Sequence, residues 1–477
     1  MLFLIFFYLV CLKRMGLPLF YCRFEESYGK EIVMKKRIVL PTVIAVFIGA
    51  LLFAACSKQR SSALTKELKG EITFWHSFSQ GPRMEKIQKA AELFMAENPG
   101  VKITIQTFSW PDFYTKWTTG LASGNVPDMS TALPNHVPEM IDAGALIPMD
   151  ALIQRIGKDR FYPAPLTEMT LDDRIWAIPL YSHAQVMWYR KDLLKKYNLT
   201  VPQTWDEVYD AALKITEGEK GAVYGCSVPL GMNDMMATRY LNFYVRSCGE
   251  TLLTADKKAN LTSKAAIDGI NYWVKMWKAC SPKDSLNFNV LDQATLYYQG
   301  KNAFDFNSGF HIGGVKTNTP DLLNFIDCAP MPSLKKDDIK RGYETSNIPV
   351  VIWKKSKHPE ICEAFIVFLY DTDRYIDFLL SVPVGMLPAF KDLSANKTFH
   401  QDAVVAQFSN AFDVISNAVG TGTAIGMENG PCVEAGLLTT QRVIENMFHQ
   451  IIVKGVDVHT AAESAEKKLN ELFETVK

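Results

Sequence analysis

From residue 71 onward the hydrophobic positions fall in short clusters whose spacing switches between two residues and three to four. Ile72-Thr73-Phe74-Trp75 reads as a short apolar strand, and Met84, Ile87, Ala91 and Phe94 follow at helical spacing. Asn98-Pro99-Gly100 is a helix-stop signal, after which Val101, Ile103 and Ile105 alternate with Lys102, Thr104 and Gln106 as in a strand. This β-α-β unit predicts a parallel sheet with crossover helices. The alternation continues. A short strand follows Val126-Pro127-Asp128, with a helix around Met140–Leu146, a strand at Gln185–Tyr189 and another at Ala222–Pro229. Thr204-Trp205-Asp206-Glu207 forms a capping box, and Ser263 can cap the helix marked by Ile267, Ile270, Val274 and Trp277. Further strands are expected at Asn302–Phe306 and Pro349–Trp353. Helices are expected at Ile361–Tyr370, Tyr375–Leu380 and Val433–Val453, with a last one through Ala465, Leu469 and Leu472.

The first 56 residues are patterned differently. From Met34 the chain reads Met-Lys-Lys-Arg, then an apolar run from Ile38 to Phe53, then Ala54-Ala55-Cys56-Ser57. A basic start, an apolar stretch and small residues before a cut form the secretory pattern. The cysteine after two alanines resembles a bacterial lipobox, with Phe53 where leucine is usual. That resemblance implies a lipoprotein signal peptide at 34–55, lipidation of Cys56 and attachment of the exported protein to a membrane surface. The alternative is an uncleaved membrane anchor. Residues 1–33 precede a complete signal, and Lys30-Glu31 can be encoded by a ribosome-binding sequence. They are therefore expected to be a non-native upstream extension, with Met34 as the true start. Residues 56–70 are polar and read as a tether.

Composition sharpens this picture. Of 477 residues, 48% are apolar and 12% aromatic, which excludes a disordered chain. Past residue 56 no apolar stretch approaches the ~18 residues of a membrane span. The 51 basic and 51 acidic side chains balance overall, but residues 1–55 are net basic and the remainder mildly acidic. An acidic body gives no electrostatic reason to expect nucleic acid. Cys226, Cys248, Cys280, Cys328, Cys362 and Cys432 show no metal-ligand spacing, and no pairing among them can be assigned. Cys362 falls on an apolar helical pattern and reads as a small buried hydrophobe.

Catalytic motifs are missing from the sequence. The eight histidines form no HExxH, no GxSxG occurs, and the glycines of Gly420–Gly426 match neither a dinucleotide fingerprint nor a Walker loop. No catalytic residue, cofactor or metal site is predicted. A pair of carboxylates suited to glycoside hydrolysis remains open among so many acidic residues.

The ordered segments GEITFWHSFSQG, FxxENPGVKI, LASGNVPDM, IWAIPLYSHAQVMWYRKDLL, VPQTWDEV and GKNAFDFNSGF together resemble the extracellular solute-binding proteins of bacterial ABC importers, in their sugar-binding family. The likeness covers nearly all of residues 70–477. Phe310 stands where tryptophan is common in that family, and His183 where a carboxylate or small residue is frequent. The resemblance implies an α/β, two-lobe, periplasmic-binding-protein-like fold of type II, with a hinge and an interlobe cleft. Lobe 1 is then expected at 71–180 plus about 342–395, and lobe 2 at 181–341 plus about 396–477. It also implies a monomer that binds a carbohydrate and delivers it to the transmembrane subunits of an ABC permease. Binders of a polyamine, a polyol phosphate or an iron chelate are alternatives, as are a surface glycoside hydrolase and a receptor without a permease.

A sugar site needs polar groups around the rim and aromatic rings against the flat C–H faces. Family position and strand ends together nominate Ser77, Ser79, Gln80, Trp110, Asn135, Tyr181, His183, Asn233, Asn307, Phe310, Tyr343 and Glu344. Each has a structural alternative. The serines can cap a helix, Asn135 can serve a turn, and Glu344 can be a surface charge. Trp75, Trp273 and Trp277 are expected in the core.

Overall fold

The computed structural model describes residues 67–78, 81–338, 342–393 and 396–475. The expected signal peptide and lipobox, as well as Ser79 and Gln80, lie outside the described residues.

The β-α-β unit forms as its pattern requires. Strands β1 (Gly70–His76) and β2 (Val101–Thr107) pair in parallel across the Pro82–Glu97 helix. That helix buries Ile87, Ala90, Ala91 and Phe94 against the sheet and stops at Asn98. Strand β3 (Met129–Thr131) joins the other edge of β1. A small hairpin, β4 (Thr170–Leu171) and β5 (Arg174–Ile175), turns through Asp172 and Asp173, both with positive φ. Then β6 (Ile178–Ala184) completes one sheet and β7 (Val186–Arg190) begins another. Strands β8 (Phe304–Asn307) and β9 (Ile326–Ala329) flank β7, and β10 (Thr345–Ile352) returns to the first sheet.

The result is a five-stranded sheet ordered β2-β1-β3-β10-β6 and a three-stranded sheet ordered β8-β7-β9. The expected parallel sheet is corrected here to a mixed one. Strand β10 runs antiparallel to both β3 and β6, and β7 is antiparallel to both its neighbours. The cause is connectivity. The chain leaves the first sheet after Ala184 and re-enters at Thr345, directly opposite, so β6 and β10 must run in opposite directions. Only Gln185 separates β6 from β7, and its N–H donates to the Glu344 carbonyl at 3.0 Å, tying the outgoing and returning passages together.

Three local expectations are revised. Ala222–Pro229 bends at its start and forms only an isolated bridge between Tyr224 and Asn302. Beyond it Gly225 carbonyl accepts Phe304 N–H and Cys226 N–H donates to the Cys280 carbonyl, while side chains serve Val228, its N–H by Ser281 and its carbonyl by Ser285. The expected Val433–Val453 helix is two, Val433–Thr440 and Val443–Lys454, broken where Arg442 takes φ 55°. The helix placed around Met140 spans Val137–Asp142, and Gly144 at φ 62° turns the chain into a bridge between Leu146 and Trp353. Elsewhere, Thr204 and Ser263 cap their helices as read, accepting from Glu207 and Ala266 N–H. Glu207 closes its box on Gln203 N–H rather than on Thr204. Trp75, Trp273, Trp277 and Cys362 are buried, and all six cysteines of the described residues are free. No helix of the described residues is long and apolar enough to cross a membrane.

Candidate ligand site

Strand β1 delivers its carboxyl end into the region where the two sheets are joined. There His76 Nδ1 accepts the Phe78 N–H at 3.1 Å, which leaves the proton of the neutral ring on Nε2. Burial, with help from the charge of Arg83, lowers the His76 pKa to about 3. The next helix starts at Pro82, so Arg83 lies in its first turn. Its guanidinium stands 4.2 Å over the Phe78 ring and 4.6 Å over the Phe310 ring, and donates to Tyr181 Oη at 2.8 Å.

Tyr181 and His183 are two apart on β6 and therefore share a face. Their rings stack at 6.0 Å with an interplanar angle of 27°. Phe310 comes from the other sheet, opening the Phe310–Asn318 helix after β8, and meets His183 edge-on at 5.7 Å. Glycine allows that approach: a Cβ on Gly309 would sit 2.5 Å from the Val384 carbonyl oxygen. His183 is held neutral, its pKa lowered to about 3 by burial first and by the charges of Arg239 and Arg83.

Beside the two passages lies a buried set of charges. Arg239, on the Met236–Ser247 helix, donates from Nε to both carboxylate oxygens of Glu344 at 2.9 Å. Burial raises the Glu344 pKa and the arginine opposes that shift. Glu168 is pushed up to about 7 by burial, against hydrogen bonds from Asn347 at 2.6 Å and Ala424 N–H at 3.1 Å. Glu428 approaches Arg246 only to 3.9 Å, close enough for charge attraction but too far for a hydrogen bond. Several buried polar atoms here have no hydrogen-bond partner among the described residues: His183 Nδ1, Gln185 Oε1, Thr345 Oγ1, Thr423 Oγ1 and both Glu428 carboxylate oxygens. Buried polar groups are normally satisfied by protein, water or ligand.

Of the nominated residues, Tyr181 and Phe310 are both brought against His183. Glu344 lies at the same junction, engaged by Arg239, with Tyr343 buried beside it in sequence. Ser77 is buried next to His76 with its hydroxyl unpartnered, and Asn307 is buried at the end of β8, its side-chain oxygen accepting Ser308 N–H at 2.9 Å. The others stand differently. Trp110 opens a helix and packs edge-on to Phe113. Asn135 is buried and donates to Thr439 Oγ1 at 2.9 Å, a tie to a C-terminal helix. Asn233 is exposed and donates to the Asn287 carbonyl. Sequence reasoning missed Phe78, Arg83 and Arg239. Arg83 did carry a signal, since a cation in the first turn of a helix opposes the helix dipole.

Chemically, the junction offers aromatic faces, hydroxyls, a neutral imidazole and a guanidinium. No group of three or more side chains able to hold a metal ion occurs among the described residues. A separate groove of about 510 Å³ is lined by Phe94, Arg155, Arg160, Phe368 and Arg374. Its arginines are matched by Glu363, Asp392 and Asp371.

The profile of the bacterial extracellular solute-binding proteins matches residues 79–374, more than half of the chain. The chain belongs to this family. An Escherichia coli (strain K12) protein named as an ABC transporter periplasmic-binding protein is 23% identical over 452 residues, 93% of this chain and 100% of that one. The arabinooligosaccharide-binding protein of Halalkalibacterium halodurans is 22% identical over 432 residues, 87% of this chain and 92% of its own. A crystal structure of an ABC transporter solute-binding protein from Thermotoga lettingae, bound with α-D-tagatose, superimposes with a TM-score of 0.74 at 20% identity. It covers 85% of this chain and 99% of that one. This solute-binding protein therefore has the two-lobe periplasmic-binding fold expected from its sequence. Its family is one of exported, substrate-binding proteins.

Proposed function

We propose that this solute-binding protein captures a sugar or oligosaccharide between its lobes and delivers it to the membrane permease of an ABC importer. One lobe carries the five-stranded sheet and the other the three-stranded sheet. In this reading the joints are Gln185, a few residues past the boundary expected after residue 180, and the segment just before Thr345, with a third further toward the C-terminus. Cys56 supplies a lipid anchor that holds the protein at the outer face of the membrane. A mature chain without acyl mass at Cys56 contradicts that anchor.

The observation that carries the reading is the convergence at this junction. Rings from both sheets, Tyr181 and Phe310, each pack against His183 and Arg83, beside buried polar atoms that lack hydrogen-bond partners among the described residues. Rings suit the C–H faces of a sugar and unpartnered polar atoms suit its hydroxyls. Related proteins named for arabinooligosaccharides, and structures holding tagatose or maltose, support the same ligand class. Binding requires no bond to be broken, and closure follows from contacts made to both lobes at once.

A thermal-shift screen over mono- and oligosaccharides, polyols and polyamines tests the reading. A ligand at 100 times its dissociation constant adds about 2.7 kcal/mol to the bound state. A clear rise in Tm with carbohydrates supports it. A rise confined to polyamines, or hydrolysis of the sugar offered, overturns it.

A further inference from the structure

Arg83 is in an electrostatically unfavourable position. It lies in the first turn of the Pro82–Glu97 helix, where the helix dipole is positive, and Gly81 provides no side-chain cap. It is only half exposed, held between the faces of Phe78 and Phe310. Among the described residues no carboxylate lies within ion-pair distance of its guanidinium, and its one hydrogen-bonded partner is the neutral Tyr181 hydroxyl at 2.8 Å. Glu344 does not serve it, because Arg239 engages both of that carboxylate's oxygens. Glu85, in the same turn, is exposed and makes no ion pair with it.

A guanidinium presents five N–H donors in a planar fork, and Tyr181 uses one. The junction's carboxylates, Glu344 and Glu428, face Arg239 and Arg246, and the unpartnered groups nearest Arg83 in the chain are donors. The His76 Nε2 proton and the Ser77 hydroxyl are buried without partners. His183, with Nδ1 unpartnered, presents its ring to the same Phe310 and Tyr181 rings that flank Arg83. A half-buried cation, a helix start and unpartnered donors all favour an anion at this point. The rings on either side favour the flat face of a sugar.

We propose that this solute-binding protein takes an anionic sugar, one bearing a carboxylate or phosphate group, and seats that charge on Arg83. The inference rests on the carbohydrate reading above and deepens it by naming the ligand class. A planar fork receives a carboxylate or phosphate through two parallel hydrogen bonds, which fixes the sugar's orientation between Phe310 and Tyr181. The same contact bridges the two sheets, since Arg83 and Tyr181 belong to the first-sheet side and Phe310 to the second.

Calorimetric titration with uronic-acid oligosaccharides and their linkage-matched neutral counterparts, and with sugar phosphates beside the free sugars, tests it. The charged member of at least one pair is expected to bind tighter by roughly tenfold or more, a preference that shrinks as salt is raised. The two arms distinguish carboxylate from phosphate. Arg83→Gln is expected to abolish the preference, while Arg83→Lys, which keeps the charge without the fork, retains part of it; the lysine variant also serves if the glutamine variant misfolds. Neutral sugars bound as tightly as charged ones, with no change on Arg83→Gln, overturn this inference and leave the carbohydrate reading standing. Failure of every carbohydrate, charged or neutral, overturns both.

Discussion

Phe310 and Tyr181 show how single side chains set what this protein can hold. Phe310 sits at the start of a helix that Gly309 allows to approach Val384 closely, so its ring is placed by backbone rather than by a flexible tether. A ring fixed in that way loses little entropy when a ligand stacks on it. Phe310→Ala is expected to weaken carbohydrate binding by about 1–3 kcal/mol, the range seen when a stacking ring is removed. Calorimetry checks it, and unchanged affinity removes Phe310 from the site. These side chains were unevenly legible in the sequence. Phe310 was found because it follows an apolar strand and matches a family pattern, and Tyr181 and His183 through the family pattern alone, since the strand that carries them, Ile178–Ala184, was not read from the sequence. Phe78 and Arg83 were missed because their role depends on partners far away in the chain, at 181 and 310, which no local spacing encodes. Asn135 illustrates the opposite error of emphasis. Its position after a strand is the same in either reading, but in the structure its amide is occupied by Thr439 and Ala435, some 300 residues away.

Among the elements, those with a strong local signal formed where the pattern placed them. The Pro82–Glu97 helix stops at the Asn-Pro-Gly signal, and β1 and β2 pair across it. The Trp205–Glu219 helix begins at Thr204, whose side chain accepts from Glu207 N–H, satisfying one of the otherwise open N–H groups of the first turn. Thr204→Ala is expected to destabilise the fold by about 1 kcal/mol in urea denaturation, with the slope of the transition unchanged. No loss at all would show that Glu207 and the surrounding packing hold that helix start without the cap. Strand direction, by contrast, was not legible. Nothing in Thr345–Ile352 distinguishes a strand returning antiparallel from one arriving by a parallel crossover, because both bury the same side chains. Ala222–Pro229 read as a strand for a related reason. It is apolar, but the chain bends at its start, and Ser281 and Ser285 take the Val228 backbone groups that a ladder would use.

The molecule as a whole carries its polar groups unusually deep where the sheets join, and this gives opposing pH responses within one window. His183 is lowered to about 3 by burial and by two arginines. A depressed histidine pKa contributes stability that is present above about 6.5 and lost as pH falls toward 3. Glu168 is raised to about 7, chiefly by burial, so its contribution is full below about 4.5 and lost as pH rises toward 7. In urea denaturation between pH 4.5 and 7, Glu168→Gln is therefore expected to gain on the parent as pH rises. His183→Gln is expected to gain on the parent as pH falls. Parallel curves for parent and variant would show that the group keeps its ordinary pKa and is not buried as described. The two-lobe plan itself was legible only through resemblance, since periodicity gives strands and helices but not the number of times a chain crosses between sheets.

All of this depends on a polar small molecule filling the junction between the sheets. Titration calorimetry of the purified chain with the carbohydrate selected by thermal shift examines that directly. Saturable heat at one site per chain, with the sugar recovered chemically intact, is the predicted result. Absence of binding by any carbohydrate, or recovery of cleaved product, would contradict it.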